Sequence, residues 1–110
     1  MPKLDLNPTY LSLVRRILAE QAPDAEVWAY GSRITSTAHD GSDLDLVARN
    51  PGDLSQRQPD LFAIKEAFVE SDLPILVDIF DWATLPDSFR REIEQAYVVI
   101  QKAESTIATP

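Results

Sequence analysis

Two short stretches decide the fold that this sequence predicts: VWAYGS at residues 27–32 and DLDLVA at residues 43–48. The first is an unbroken apolar and aromatic run that ends at Gly31, which is typical of a strand buried on both faces. The second alternates, so that Asp43 and Asp45 share one face and the leucines share the other, which is typical of a strand of period two. We therefore predict two strands of one sheet, joined by the polar stretch between them.

Helices and a third strand complete the expected fold. Asn7 is a good N-cap and Pro8 suits the first helical position, so a helix begins there and stops at Pro23. The β-branched run at residues 75–80 predicts a central strand that contains one carboxylate, Asp78. Two further helices are marked by apolar residues at helical spacing: Leu61, Ile64 and Phe68 in one, and Phe89, Ile93, Tyr97 and Ile100 in the other. The expected class is α/β (α+β), a small mixed sheet of three or four strands flanked by helices.

Length and composition limit the function. The 110 residues fit one domain, which we place at residues 1–104, with a disordered tail at 105–110. The absence of cysteine excludes disulfides and thiolate zinc sites. No apolar run is long enough to span a membrane and no signal peptide begins the chain, so we expect a cytoplasmic protein. The formal net charge of −8 argues against direct nucleic-acid binding. On charge alone, solubility is the favoured explanation of this excess, and a protein that gathers cations or docks on a basic partner is the alternative.

Three carboxylates stand where folding alone does not explain them. Asp43 and Asp45 point to the same face, with Cα atoms about 6.5–7 Å apart. If the strand that carries Asp78 is a neighbour, all three side chains converge. Their repulsion calls for a cation, and carboxylate oxygens are the ligands that Mg²⁺ takes. A solvated Asp-x-Asp face is the simpler alternative, but an ionised Asp78 in a buried strand would be costly without a partner.

Gly31 and Ser32 follow the first strand directly. Glycine lets the backbone approach a ligand closely, and a helical turn that starts there would present N–H groups to an anion. The serine hydroxyl adds a donor for phosphate. The strand, the Gly-Ser pair and an Asp-x-Asp ten residues later would place a phosphate cradle opposite a metal pair.

The pattern Gly31-Ser32-x10-Asp43-x-Asp45 resembles the signature of the DNA polymerase β-like nucleotidyltransferase superfamily. The longer strings GSRITSTAHDGSDLDLVA (31–48), VDIFDW (77–82) and LPDSFRREIEQAYVVI (85–100) resemble the minimal nucleotidyltransferases. That branch contains antitoxins encoded beside HEPN-domain ribonuclease toxins. The chain departs from the pattern at residues 35–36, where similar chains often have a second basic residue and a glycine, and at 96–97, where a Glu-Gly pair is common.

The resemblance implies a role for each matching residue. It assigns two sets: Gly31, Ser32, Arg33 and Ser42 for ATP, and Asp43, Asp45 and Asp78 for two Mg²⁺ ions and catalysis. It also implies that Asp78 helps to deprotonate the attacking hydroxyl. The implied reaction is the transfer of AMP from ATP to a hydroxyl group of a partner HEPN toxin, namely the hydroxyl of a tyrosine.

Two other functions stay open. A non-catalytic antitoxin could neutralise the toxin by binding alone. Transfer of a nucleotidyl group to a small molecule is the less favoured alternative, because enzymes that carry out such a transfer usually need an additional domain for the acceptor.

Other candidates are better explained without catalysis. His39 suits a solvated loop position, and strand parity puts Asp81 on the face opposite to Asp78. Trp28, Tyr30, Phe80 and Trp82 suit the core.

Overall fold

A mixed sheet with helices on both faces forms the described part of the chain. The structure is a computed structural model and describes residues 2–35 and 41–103, so His39, Ser36 and the expected tail at 105–110 lie outside it. The elements are α1 (Pro8–Gln21), β1 (Glu26–Tyr30), β2 (Leu44–Arg49), α2 (Leu61–Val69), β3 (Val77–Asp81), α3 (Asp87–Gln95) and β4 (Val98–Gln101), with 3-10 turns at Ser32–Ile34 and Trp82–Thr84. Within these residues, no helix is both long and apolar enough to cross a membrane.

The first helix forms as the sequence predicts. The Asn7 side chain accepts a hydrogen bond of 2.8 Å from the Thr9 N–H, and Pro8 occupies the first turn. The helix ends at Gln21, ahead of Pro23, where the Ala22 N–H still bonds to the Leu18 carbonyl. Its apolar stripe is buried against the sheet.

The sheet order is β3-β2-β1-β4. Strand β2 runs antiparallel to β1 and parallel to β3, and β4 runs antiparallel to β1. Alternate residues of each strand pack into two separate apolar clusters, one on each face of the sheet. The first includes Val14, Leu18, Val27, Leu44, Leu46, Ile64, Phe68 and Ile79, and the second includes Trp28, Tyr30, Val47, Trp82 and Ile93. Helices α1 and α2 therefore cover one face and α3 covers part of the other.

The predicted extension of the last helix to Ile100 is wrong. Helix α3 ends at Gln95, Ala96 has an extended backbone, and Val98–Gln101 forms the strand β4 beside β1. Three β-branched residues in a row, 98–100, favour a strand. The spacing of Ile93, Tyr97 and Ile100 fits a helix only by coincidence.

The prediction that residues 75–80 form a central strand is also wrong. Strand β3 covers Val77–Asp81 and lies at the edge of the sheet, with β2 as its neighbour. Asp78 is exposed, and not buried as expected, because it lies near the start of this edge strand. The cost of burying a charge therefore says nothing about the function of Asp78.

Asp81 is the carboxylate of β3 that is buried, with 5% of its surface exposed. It lies beside Ala48 on the face opposite to Asp78, as parity predicts. Its two oxygens accept hydrogen bonds from the Gln58 N–H (3.0 Å) and the Ala83 N–H (3.3 Å). Asp81 therefore caps the turn after β3 and fastens the segment that precedes α2.

We expect Asp81→Ala to lower the free energy of unfolding by about 2 kcal/mol, because it leaves two backbone N–H groups without their acceptor. Asp78→Ala in the same strand is the matched control and should change it by less than about 0.5 kcal/mol. Urea unfolding followed by circular dichroism measures both. Equal losses in the two variants would contradict this division of roles.

Candidate active site

Three side chains form a row across three adjacent strands. The register pairs Tyr30 of β1 with Asp45 of β2, and Asp45 with Asp78 of β3. Directly paired residues project to the same face of a sheet. The structure thus brings Asp45 and Asp78 side by side on the face that α3 partly covers, with the end of β1 next to them.

Asp43 completes a group of interacting carboxylates. It lies two residues before Asp45 and is exposed. The pKa of Asp45 is raised from its ordinary value, first because the side chain is partly buried, and then by the charges of Asp78 and Asp43. Asp43 and Asp78 are therefore close enough to Asp45 to disfavour its ionised form.

Gly31 allows the chain to turn directly against Asp45. Its φ is +82°, in the left-handed region that favours glycine. A methyl group at this position would collide with Asp45 Oδ2 and lie 3.2 Å from Asp45 Cγ. The close approach explains why this position is glycine. It also places the turn beside the carboxylate row, which consists of Asp43, Asp45 and Asp78.

Ser32 begins the short helical turn that the sequence predicts. The turn covers Ser32–Ile34, and the Ile34 N–H bonds to the Gly31 carbonyl at 3.1 Å. Ser32 is half-buried and adjoins Gly31. The Gly-Ser turn and the carboxylates thus occupy one end of the sheet.

Tyr30 is a site residue that the sequence interpretation assigned only to the core. It does pack in the second apolar cluster, with Phe89 edge-on at 5.8 Å between ring centroids. Yet its phenol also lies near the carboxylates. Burial raises the pKa of Tyr30 strongly, and the charges of Asp45 and Asp78 raise it further. The position of Tyr30 directly before Gly31 was the signal available in the sequence.

Arg33 is buried, with 6% of its surface exposed. Its Nε and Nη2 donate to the Ser42 carbonyl at 3.2 and 2.9 Å, and Nη1 donates to the Asp5 carbonyl at 2.9 Å. The phosphate contact expected from the sequence stays a prediction, because the contacts of Arg33 that the structure gives are to the protein backbone. The guanidinium binds backbone oxygens, including that of Ser42, another of the four residues assigned to ATP.

The three carboxylates, of Asp43, Asp45 and Asp78, are chemically suited to bind a hard divalent cation. Their donors are carboxylate oxygens, which a hard divalent cation prefers. Burial, and then the charges of Asp78 and Asp43, raise the pKa of Asp45, and a bound cation would offset that repulsion. Among residues 2–35 and 41–103, no three His, Cys, Asp or Glu side chains are already arranged as a ligand set. Asp43 and Asp78 are exposed, so their side chains are free to adjust around an ion.

A cleft of about 360 Å³ opens beside the Gly-Ser turn. It lies between that turn and α3, and its lining combines aromatic, apolar and polar residues: Tyr30, Gly31, Thr35, Phe89, Glu92, Ile93, Gln95 and Ala96. Tyr30 and Gly31 link it to the carboxylate row. The cleft is large enough for a ligand of nucleoside size.

Comparison with known proteins identifies the family. The family described as "Nucleotidyltransferase domain" matches residues 11–109. The chain belongs to the nucleotidyltransferase family. A protein of Haemophilus influenzae (strain ATCC 51907 / DSM 11121 / KW20 / Rd), named "Probable protein adenylyltransferase MntA", is 44% identical over 98% of this chain and 93% of its own length. The resemblance of this nucleotidyltransferase to the minimal, MntA-like branch is thereby confirmed.

The fold of this nucleotidyltransferase is also found in a solved structure. That structure is described as "Crystal structure of the toxin-antitoxin with AMP-PNP" and superposes with a TM-score of 0.66, over 92% of this chain and 77% of that one. The sequences are 15% identical, so the likeness concerns the fold. It confirms the predicted class of a small mixed sheet flanked by helices.

We expect Gly31→Ala to destabilise this nucleotidyltransferase by about 1–3 kcal/mol, because alanine is strained at this φ and collides with Asp45. Gly52→Ala is the matched control. Its added methyl group would lie 3.4 Å from Asn50 Oδ1, an ordinary contact, and its φ is not in the left-handed region. Thermal unfolding measures both variants. A Gly31→Ala protein as stable as Gly52→Ala would show that the turn can move away from Asp45.

Proposed function

We propose that this chain is a Mg²⁺-dependent adenylyltransferase that transfers AMP from ATP to a tyrosine hydroxyl of a HEPN-domain toxin, and so acts as an antitoxin. One observation carries the proposal: Asp45 and Asp78 lie side by side, with Gly31 packed against Asp45. The name of the 44% identical relative supports protein adenylyl transfer. The fold neighbour, described as a toxin-antitoxin with an ATP analogue, supports a toxin partner and a nucleotide substrate.

Each residue of the site has a part in the proposed reaction. Asp43, Asp45 and Asp78 would hold two Mg²⁺ ions, which neutralise charge on the phosphates and on the entering and leaving oxygens. Ser32 and the backbone beside Gly31 would donate to phosphate oxygens, and Ser42 would border the same phosphates. Because Gly31 has no side chain, the turn lies directly against Asp45, so a phosphate bound at the turn would lie close to the cations.

The proposed reaction needs no reactant other than ATP and the tyrosine hydroxyl. The tyrosine oxygen attacks the α-phosphorus of ATP, and the bond from that phosphorus to the bridging oxygen of the β-phosphate breaks. Asp78 accepts the proton of the hydroxyl and passes it to solvent, and pyrophosphate leaves. The exposure of Asp78 on an edge strand supports this role, because a large acceptor protein must reach it.

The cleft beside Gly31 suits the nucleoside half of ATP. Its lining includes Glu92, whose negative charge disfavours a triphosphate, whereas Tyr30 and Phe89 offer aromatic surface to a base. Gln95 and Thr35 supply polar groups for the edge of a base or for ribose. We therefore place adenosine in the cleft and the triphosphate over the Gly-Ser turn.

We expect Phe89→Ala to weaken ATP binding about tenfold, since contact between a base and an aromatic ring contributes roughly 1–3 kcal/mol. Binding of inorganic tripolyphosphate, which has no base, should stay unchanged. Isothermal titration measures both ligands, with Phe62→Ala on the exposed side of α2 as the control. Equal weakening of ATP and tripolyphosphate would place the base elsewhere.

The transfer itself is tested with α-labelled ATP, Mg²⁺ and the toxin partner. We expect label on the toxin with the wild-type chain, and a loss of at least about 10³-fold with Asp43→Asn plus Asp45→Asn, because the cation site is lost. Omission of Mg²⁺ should have the same effect. Asp72→Asn, an exposed carboxylate away from the row, is the control.

Neutralisation of the toxin by the same variants separates the two antitoxin hypotheses. If the double variant binds the toxin and still inactivates it without label, inhibition occurs by masking and the enzymatic proposal is wrong. Label on a small molecule, with none on the toxin, would support the remaining alternative, which is nucleotidyl transfer to a small molecule.

A further inference from the structure

Arg33 joins three segments of the chain next to the carboxylate row. Two of its N–H groups, on Nε and Nη2, donate to the same oxygen, the carbonyl of Ser42. Its Nη1 donates to the Asp5 carbonyl, and the Asp5 N–H donates back to the Arg33 carbonyl at 2.6 Å. The Gly-Ser turn, the residue before Asp43 and the N-terminal segment thus meet at one buried guanidinium.

We propose that Arg33 is a positioning residue that holds Asp43 in place for the cation site, and that the N-terminal segment around Asp5 supports this role. The inference rests on the proposed function, because it concerns the same cations. Asp43 follows Ser42 directly, so its Cα lies about 3.8 Å from that of Ser42. A carbonyl fixed by two N–H groups sets the position from which the Asp43 side chain reaches toward Asp45.

The exposure of Asp43 makes this anchor necessary. Asp45 is half-buried within β2, so the sheet itself fixes its position. Asp43 lies just before the strand and is exposed, so apolar packing does not hold its side chain. The backbone hydrogen bonds of Arg33 at Ser42 supply what packing does not.

The arginine is also the right residue for this position. A buried charge needs several acceptors, and the planar fork of a guanidinium can bind two separate carbonyls at once. A lysine ammonium could reach the Ser42 oxygen but lacks that geometry. Arg33 would therefore act through Asp43 and would not touch phosphate.

We expect Arg33→Met to weaken binding of Mn²⁺, a spectroscopic substitute for Mg²⁺, about tenfold in the presence of a non-hydrolysable ATP analogue. The kcat should fall about 10–100-fold, because a displacement of about 1 Å in a catalytic group has that effect. Tripolyphosphate binding without cations should change by less than about threefold, since positioning leaves direct phosphate contacts intact. Electron paramagnetic resonance of free Mn²⁺ gives the first readout without any need for transfer activity.

Two variants control for a general loss of stability. Arg49→Met removes another partly buried arginine, which pairs with Glu26 at 3.3 Å at the far end of β2. It should lower the melting temperature and leave Mn²⁺ affinity unchanged. Arg33→Lys should recover part of the affinity for Mn²⁺, because the ammonium still reaches Ser42.

The N-terminal contact has its own test. Asp5→Pro removes the N–H that donates to the Arg33 carbonyl, whereas Asp5→Ala keeps it. We expect the proline variant to weaken Mn²⁺ binding about threefold and the alanine variant to leave it unchanged, since the contact runs through the backbone.

The results separate this inference from the proposed function. If the wild-type chain binds Mn²⁺ and the ATP analogue but does not label the toxin, the proposal that the toxin is the acceptor fails. The comparison of Mn²⁺ affinity between the wild-type chain and Arg33→Met still tests the inference about Arg33. The inference is overturned if Arg33→Met keeps wild-type Mn²⁺ affinity and weakens tripolyphosphate binding, which is the result of a direct phosphate contact. It is equally overturned if Arg49→Met weakens Mn²⁺ binding as much, or if the wild-type chain binds no Mn²⁺.

Discussion

The contact between the backbone at Gly31 and the carboxylate of Asp45 is the constraint on which the site depends. It requires β1 and β2 to pair in one register, because a shift by one residue would turn Asp45 to the other face of the sheet. It also requires glycine, since φ is +82° and a side chain would occupy the space of the carboxylate. The Gly-Ser turn and Asp45 are thereby fixed relative to one another by the sheet.

The two faces of the sheet have different roles, one in stability and the other in forming the candidate site. The face under α1 and α2 is a continuous apolar core, and it also receives the buried Asp81, which bonds to backbone N–H groups. The other face carries the aromatic cluster, and Asp45 and then Asp78 lie next to Tyr30 of that cluster. Repulsion among the carboxylates is destabilising, so the stability of the fold must come from the apolar residues, many of which lie on the same strands as the site.

The sequence was sufficient for the parts of the fold that depend on local signals. The capped first helix, the strand before Gly31 and the alternating strand after Asp43 all formed as expected, and the Asp-x-Asp spacing placed both carboxylates on one face. These features follow from backbone geometry over a few residues.

The errors arose where the outcome depends on distant neighbours. Whether residues 75–80 form a central or an edge strand is decided by which strands pair, and not by their β-branched content. The helical spacing up to Ile100 hid the strand β4, which is stabilised by pairing with β1. The backbone contacts of Arg33 are a finding that the sequence could not supply, because they depend on carbonyl groups at residues 5 and 42 that no motif around residue 33 indicates.

The edge position of β3 has a consequence for how the site can be lost. Gly31 and Asp45 meet through strands that are close in sequence, whereas Asp78 arrives by way of α2 and pairs on one side only. Partial opening of a protein begins where the fewest backbone bonds must break, and an edge strand meets that condition. Fraying of β3 would therefore remove one acidic residue from the row while the rest of the domain stayed folded, so the site can be dismantled without global unfolding.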